Sequence, residues 1–396
     1  MSNSIKKNKR IAIIGAGASG CFCAYFLLKR GYEVVLFDKN QPLKTILPTG
    51  GGRCNLAHAE FDFKELAKNY PRGEKFLYSI FSKFGTADTL ETFEQMGIKC
   101  YTQENGRIFP ESNSAKSVKE TVLKNIEKAD FVKEEVIEIE PLVSGFKVRT
   151  TSPHPNPPHP RKDVNQYFFT HVILAIGGHA GLELAKKLEI KTVIQKPSLV
   201  GLNTKENLKD LSGTVIKGVN YNNLNDDLLF THFGISGPLV YTISSIKAFD
   251  KMPYTLSFDL APQLVDLQKD LNSYPHKDIK NILSKYLPSR IVNHILKNVI
   301  DESTKAHQIN GKVRDIITDK IHNFQTNIIA TNKGEETVTA GGIDLNEVNP
   351  KTMEIKNVPN LYAIGEVLNI DGFCGGFNLQ NAWSTAFVCA EGLSNK

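Results

Sequence analysis

The chain has 396 residues, of which 41% are hydrophobic, and its formal net charge at pH 7 is +6. A chain of this length and apolar content can bury a large core, and we expect two or three domains. Because four of the positive charges lie within the first ten residues, the net charge indicates little about nucleic-acid or other partners.

The cysteines and the hydropathy pattern exclude further classes of protein. There is no C-x-x-C pair, which argues against a zinc site or a disulfide framework and favours a reducing cytoplasm. Outside Ile11–Leu28 no uncharged apolar run approaches the length of a membrane span, so we expect a soluble protein that binds no membrane. With the cysteine pattern, this predicts a cytoplasmic protein without a bound metal. The cysteines are Cys21, Cys23, Cys54, Cys100, Cys374 and Cys389.

The first organised stretch is Ile11–Asp38, IAIIGAGASGCFCAYFLLKRGYEVVLFD, which predicts a strand, a glycine turn, a helix and a second strand. Gly15, Gly17 and Gly20 have the GxGxxG spacing of a dinucleotide-binding turn. The first glycine makes the turn, the second lets a pyrophosphate approach the backbone, and the third lets the helix pack on the strand. Asp38 follows the second strand, where a carboxylate accepts hydrogen bonds from a ribose hydroxyl.

Two other interpretations of this stretch compete with a dinucleotide site. Basic residues precede the uncharged run Ile11–Leu28, and this order resembles a secretory signal. The second alternative is a buried βαβ unit whose glycines have no binding role. A cleaved signal would have no use for Asp38 or for the C-terminal glycine loop described below, so the dinucleotide site is preferred.

A second glycine-rich segment, LKTILPTGGGRCN, covers residues 43–55. The backbone at Gly50 and Gly51 can lie along a phosphate or an isoalloxazine edge, and Arg53 supplies a planar cation. An ordinary glycine-rich turn explains this segment equally well.

Residues between 61 and 178 predict helices and strands that complete the same domain. The backbone of Val136 is expected to touch an adenine. The segment HVILAIGG, which contains Ala175 and Gly177, predicts a buried strand and a second place where backbone meets a cofactor. The predicted helices are 61–97 and 117–129, and the predicted strands are 99–110, 131–139, 145–151 and 166–174.

A different pattern begins near residue 191. Short strands and turns over 192–258 predict a β-rich domain, and residues 263–324 predict helices inserted into it. The segment FTHFGISGP contains His232, which is either a loop histidine or a group that faces substrate. Residues 275–300 carry five lysines and arginines, with His276, Tyr286 and His294 interleaved and Tyr274 just before them, which indicates either a solvated helix face or a nucleic-acid surface.

The C-terminal segment NLYAIGEVLNIDGFCGGFNLQN, residues 360–381, predicts a strand, a glycine loop and a helix that begins near Phe377. Glu366 is expected to accept hydrogen bonds from a sugar-alcohol chain. The helix N-terminus after Gly375 and Gly376 can stabilise negative charge on a reduced flavin. A dehydrogenase that uses only a nicotinamide cofactor would not need this second loop, so the sequence predicts FAD.

These motifs closely resemble those of the BaiN/RdsA-type flavoproteins, also called YhiN-like. The shared blocks are GAGASG, TGGGRCN, THFGISGP, AGGIDLNEVNPKTMEIKNVPNLYAIGEV and DGFCGGFNLQNAWSTA, and they occur in the same order over nearly the whole chain. The resemblance implies an α/β fold: a Rossmann-like FAD-binding domain of the two-dinucleotide-binding type, interrupted by a β-rich domain that carries a helical insertion. The implied boundaries are 1–190 and 338–396 for the FAD domain, 191–262 and 325–337 for the β-rich domain, and 263–324 for the insertion.

The resemblance also implies which residues contact the cofactor. Three features depart from the family pattern: Leu43-Lys44-Thr45 replaces a basic run, Ala175–Gly178 lacks a threonine, and the loop after Gly178 is shortened. With the residues argued from motifs above, the expected FAD contacts are Gly15, Gly17, Ala18, Ser19, Gly20, Asp38, Lys39, Gly50, Gly51, Arg53, Cys54, Asn55, Val136, Ala175, Gly177, Gly365, Glu366, Gly375, Gly376, Phe377, Asn378 and Leu379.

The implied activity is reduction of a conjugated carbon–carbon double bond, with NADH or NADPH as a transient reductant of the flavin. Cys374 and His232 are the candidate proton donors, and water is a third. Ribosomal RNA uridine, bound through 275–300, is the preferred substrate, and a small-molecule alkene is the alternative. A non-catalytic, FAD-bound RNA-binding protein is the alternative to an enzyme.

Overall fold

The computed structural model describes residues 9–151, 164–178, 182–332, 334 and 338–394. The chain divides by its internal packing into two units. Residues 1–196 and 338–396 form the first unit, and residues 197–337 form the second. Each unit has its own hydrophobic core. The three-part domain division expected from the sequence stays a prediction.

The first unit contains a five-stranded parallel sheet. Its strands are β1 (Arg10–Ile14), β2 (Glu33–Phe37), β6 (Asp130–Val132), β10 (His171–Leu174) and β19 (Leu361–Ala363). Their order is β19-β10-β1-β2-β6, and every neighbouring pair is parallel. Strand β10 is buried along its whole length, as is typical of parallel strands covered on both faces. The predicted Rossmann-like α/β fold is confirmed.

Two helices of the first unit, one from each end of the chain, pack against each other. They are α1 (Ala18–Lys29) and α13 (Phe377–Ser394). The rings of Phe22 on α1 and Trp383 on α13 lie 4.7 Å apart, and both residues are buried. This contact brings the first glycine turn and the C-terminal glycine loop into the same domain.

The first unit also contains small antiparallel sheets and shorter helices. One sheet joins β3 (Ala57–His58), β5 (Arg107–Pro110) and β4 (Cys100–Thr102), a second joins β7 (Glu135–Leu142), β8 (Gly145–Thr151) and β9 (Val164–Phe169), and β11 (Thr192–Ser198) pairs with β18 (Val338–Ile343). The helices are α2 (Thr49–Gly52), α3 (Phe63–Ala67), α4 (Glu74–Phe81), α5 (Thr86–Met96), α6 (Ala115–Asn125) and α7 (Leu182–Lys187).

Several predicted elements are divided in the structure. The helix predicted over 61–97 is three helices, because Gly73 and Gly85 stand at the N-caps of α4 and α5. The strand predicted over 131–139 is β6 and β7, which belong to different sheets. The strand predicted over 166–174 is likewise β9 and β10. Five prolines between residues 153 and 160 predict an extended surface loop, and this segment lies outside the described residues.

The second unit contains a six-stranded antiparallel sheet. Its strands are β12 (Leu202–Thr204), β13 (Val215–Tyr221), β14 (Leu224–Phe230), β15 (Gly234–Ser236), β16 (Tyr254–Phe258) and β17 (Phe324–Thr331), in the order β13-β14-β15-β12-β17-β16. Four helices lie between β16 and β17: α9 (Leu267–Ser273), α10 (Ile279–Leu283), α11 (Ser289–Leu296) and α12 (Gly311–His322). A further helix, α8 (Pro238–Ile246), begins where Pro238 follows Gly237, within a span that was expected to hold only strands and turns.

Candidate functional site

The glycines of the β1–α1 turn have two kinds of environment. A Cβ on Gly15 would lie 2.3 Å from the carbonyl oxygen of Ala175, and a Cβ on Gly20 would lie 2.0 Å from that of Gly15. Both glycines are therefore required by close backbone packing. The nearest atom to a Cβ on Gly17 would be Thr45 Oγ1, at 3.8 Å. Gly17 is also the N-cap residue of α1. The turn therefore leaves open space at the positive end of α1, where a phosphate fits.

Asp38 closes this turn from the end of β2. Its Oδ2 accepts a hydrogen bond from the amide of Ala16 at 2.9 Å, and its Oδ1 accepts one from the amide of Asn40 at 2.8 Å. A carboxylate has further lone pairs, so Asp38 retains capacity to accept a ribose hydroxyl. The neighbouring Lys39 is exposed, and its ammonium lies 2.9 Å from Glu135 Oε1.

The TGGGRCN segment holds an arginine in a fixed place. Gly50 and Gly51 have φ values of 58° and 69°, and a Cβ on Gly51 would meet nothing within 4 Å. The Arg53 guanidinium lies 4.1 Å from the centre of the Phe109 ring, and its Nε donates to the carbonyl of Gly50 at 3.2 Å. The segment therefore combines an open backbone edge with a planar cation.

Cys54 and Asn55 follow Arg53 and are both buried. Burial raises the pKa of the Cys54 thiol to about 12, so this thiol stays protonated at neutral pH. The side-chain oxygen of Asn55 has no hydrogen-bond partner among the residues that the structure describes. An unsatisfied buried amide oxygen of this kind is normally paired with a ligand or a water molecule.

The C-terminal segment meets the first glycine turn at Gly365. A Cβ there would lie 2.6 Å from Ser19 Oγ, so the backbone after β19 passes directly over the first turn of α1. Glu366 Oε1 accepts a hydrogen bond from the amide of Thr339 at 2.8 Å. The same carboxylate oxygen lies 2.9 Å from where a Cβ on Gly178 would stand. A Cβ on the predicted contact Gly177 would stand 3.9 Å from Oε2 of Glu366, so predicted contacts from three distant parts of the chain lie together.

The glycine loop before α13 is closed by polar contacts. The side chain of Asn378 accepts from the amide of Gly372 and donates to its carbonyl, each at 2.8 Å. Gly376 has a φ of 99°, and a Cβ there would lie 2.4 Å from the carbonyl oxygen of Ala57. Helix α13 begins at Phe377, where the sequence placed it, while Leu379 is partly buried against the core of the unit.

A buried ion pair holds the start of the same loop. The guanidinium of Arg72 binds both carboxylate oxygens of Asp371, which precedes Gly372. The Asp371 side chain is 0% exposed and that of Arg72 is 14% exposed. Sequence reasoning missed this pair, because nothing in the local pattern connects residues 299 positions apart.

Two further side chains contact the loop and were also missed. Arg107 Nη2 lies 3.8 Å from the sulfur of Cys374, and His58 Nδ1 lies 3.2 Å from the carbonyl oxygen of Gly375. The His58 ring stacks on Phe377 with centres 4.7 Å apart. His58 and Arg107 are directly opposite each other on β3 and β5.

Two predicted residues belong to other elements of the chain. Val136 is buried in β7 and is opposite Thr150 of β8. His232 belongs to the second unit, where it is exposed between β14 and β15 and its ring lies 5.2 Å from that of Phe233. Their expected roles stay predictions.

Within the described ranges, no helix is long and apolar enough to cross a membrane. The same residues contain no group of three or more His, Cys, Asp or Glu side chains that could hold a metal ion.

Comparisons with known proteins extend over nearly the whole chain. The chain is 30% identical to the ribosomal RNA dihydrouridine synthase of Escherichia coli K12, over 96% of this chain and 97% of that protein. It is 26% identical to the 3-dehydro-bile acid delta(4,6)-reductase of Clostridium scindens, over 98% of this chain and 99% of that protein.

A solved structure and a family model agree with this result. The open conformation of a flavocytochrome c3 fumarate reductase has a similar fold, with a TM-score of 0.53 at 13% identity over 98% of this chain and 78% of that one. The model of the HI0933-like protein Rossmann domain matches residues 9–392. The resemblance inferred from the motifs is confirmed, and the chain belongs to the HI0933-like Rossmann family.

Proposed function

We propose that this chain is an FAD-dependent reductase that uses NADH or NADPH to saturate a conjugated carbon–carbon double bond, and that its substrate is a uridine of ribosomal RNA. The observation that carries the FAD assignment is the contact of Gly365 with Ser19, which joins the phosphate-binding turn to the C-terminal glycine loop. Bound FAD would supply the hydride that adds to the double bond.

Each part of the site has a distinct role in this proposal. The amides at the start of α1 hold the pyrophosphate, and Asp38 accepts from the adenosine ribose. Glu366 accepts from the ribityl hydroxyls, with the carboxylate oriented by its bond to the Thr339 amide. The N-terminus of α13 stabilises negative charge near the pyrimidine end of the ring system.

The proton needed at the second alkene carbon comes from Cys374. As the hydride adds to one carbon and the π bond breaks, the S–H proton of Cys374 passes to the other carbon. The thiolate that remains then takes a proton from solvent, so the reaction consumes one hydride and one proton. His232, which is exposed in the second unit, stays a second candidate for the proton donor, and water stays a third.

RNA is supported by the name of the Escherichia coli relative, a ribosomal RNA dihydrouridine synthase, and by exposed cations in residues 275–300. Two of the five cations there are already paired, since Lys280 contacts Glu302 and Lys285 contacts Asp270. Lys277, Arg290 and Lys297 are exposed and can contact phosphates. The target base must leave its stack before a hydride can reach its ring.

A small-molecule alkene is the second candidate, because the Clostridium scindens relative is named as a bile acid reductase. Adding NADH or NADPH to the purified holoprotein should bleach the flavin absorbance, and an inert flavin would contradict a reductase. Dihydrouridine mapping in ribosomal RNA from a strain that lacks the gene then separates the two substrates. Unchanged RNA would favour the small-molecule alkene.

A further inference from the structure

The loop that carries Cys374 contacts two paired strands of the small antiparallel sheet, β3 and β5. His58 and Arg107 face each other across this pair, and each contacts a different group of the loop. Arg107 Nη2 reaches the Cys374 sulfur at 3.8 Å, while the His58 ring contacts the next carbonyl, that of Gly375, at 3.2 Å. The β3–β5 pair therefore holds both the backbone and the thiol of the loop.

Among the side chains discussed around the Cys374 thiol, Arg107 carries the positive charge that contacts the sulfur. Burial lowers the pKa of His58, so the imidazole is neutral at pH 7 and donates its Nδ1 proton to the Gly375 carbonyl. The Glu60 carboxylate raises the pKa of His58, but by less than the burial of the imidazole lowers it. The neighbouring Asp371 is paired with Arg72, and the buried Tyr70 hydroxyl donates to the carbonyl of Phe377. Arg107 thus supplies a positive charge in direct contact with the sulfur.

The other cysteines lack this environment. Cys21, Cys23, Cys54 and Cys389 are buried. Cys100 is half-buried like Cys374, but burial and the nearby Glu111 and Glu94 raise the pKa of its thiol to about 11. Cys374 also stands three residues before the start of α13, and a helix N-terminus favours a thiolate.

We propose that Arg107 is a positioning residue for Cys374: it holds the sulfur in place and stabilises the thiolate left when the thiol gives up its proton. The proton transfer itself rests on the proposed function, whereas the effect of Arg107 on the thiol does not. His58 supports the same geometry by holding the Gly375 backbone without adding charge.

The test measures alkylation of the full-length holoprotein by iodoacetamide between pH 6 and 10, with peptide mapping to assign each cysteine. In the wild type we expect Cys374 to react at least about tenfold faster than Cys100 at pH 7.5. Arg107→Met should slow Cys374 about tenfold at that pH and shift its alkylation profile to higher pH. Arg107→Lys, which keeps the charge, should retain most of the rate.

Cys100 is the internal control, because loosening of the fold would raise its rate as well. Equal rates for Cys374 and Cys100 in the wild type would overturn the proposal, and this holds even if Arg107→Met does not fold. A Cys374 rate in folded Arg107→Met within twofold of the wild type would overturn it too. If alkylation behaves as expected but no alkene is reduced, the role of Arg107 stands and the proposed function fails.

Discussion

Gly365 is the residue at which the two halves of the proposed FAD site touch. Its φ is 72°, and the space that a side chain would need is occupied by Cβ and Oγ of Ser19, at 2.9 and 2.6 Å. Ser19 belongs to α1, whose position is fixed by the β1–α1 turn. Any side chain at residue 365 must therefore displace either the helix or the C-terminal backbone.

Gly365→Ala is expected to weaken FAD binding by at least about fivefold, since overpacking of this kind typically costs about 1–3 kcal/mol. Gly31→Ala is the matched control, because Gly31 also has a positive φ, 81°, but a Cβ there meets nothing within 4 Å. Both variants carry backbone strain, and only Gly365→Ala carries the clash. Titration of the apoprotein with FAD measures the difference.

Adding Ser19→Gly to Gly365→Ala should restore part of the FAD affinity, since it removes both clashing atoms. Equal FAD affinities for Gly365→Ala and Gly31→Ala would show that the contact with Ser19 does not matter for binding.

Local spacing made some site residues predictable. GxGxxG is a pattern within six residues, and each of its glycines has the environment that its position implied. Arg107 and His58 could not be found in this way, because their contact with the loop depends on the register of β3 with β5. The ion pair of Arg72 with Asp371 depends in the same way on tertiary packing.

Elements were predictable where residues with special backbone preferences mark their ends. The start of α13 follows directly from Gly375 and Gly376. No glycine or proline separates β6 from β7, so residues 131–139 read as a single strand although β6 joins the parallel sheet and β7 an antiparallel one. Whether a strand changes sheet is decided by its neighbours in space, which a single sequence does not show.

The loop between β19 and α13 depends on the ion pair of Arg72 with Asp371. Asp371→Asn leaves the largely buried guanidinium without its counter-charge, and breaking a buried pair in this way typically costs about 3–5 kcal/mol of unfolding free energy. Glu138→Gln removes a carboxylate from the exposed pair with Arg149 and should cost less than about 1 kcal/mol. Urea unfolding of the two variants, at one pH and salt concentration, gives the comparison.

We expect the FAD affinity of Asp371→Asn to fall as well, since the loop precedes the helix N-terminus proposed to face the flavin. If Asp371→Asn and Glu138→Gln are equally stable, the ion pair does not anchor the loop.

At the scale of the whole molecule, the similarity to two enzymes named for different substrates covers almost the full chain, so family membership does not select between RNA and a small molecule. The net charge does not decide either, because a large part of it lies at the N-terminus. The distribution of paired and exposed cations in the second unit is more informative. Lys297 is exposed at the end of α11, whereas Lys280 contacts Glu302 at 2.9 Å.

If residues 275–300 bind single-stranded RNA, each phosphate contact contributes about 0.7 to the slope of log affinity against log salt concentration. Lys297→Gln should therefore weaken binding of a ribosomal RNA fragment and reduce that slope by about 0.7. Lys280→Gln removes the same charge from a lysine that is already neutralised by Glu302, so the slope for this variant should change less.

Fluorescence anisotropy at several salt concentrations measures both variants, with flavin bleaching by NADH or NADPH as a control for an intact first unit. Identical slopes for the wild type and Lys297→Gln would exclude Lys297 from the RNA surface, and an absence of RNA binding by the wild type would leave the small-molecule alkene as the substrate.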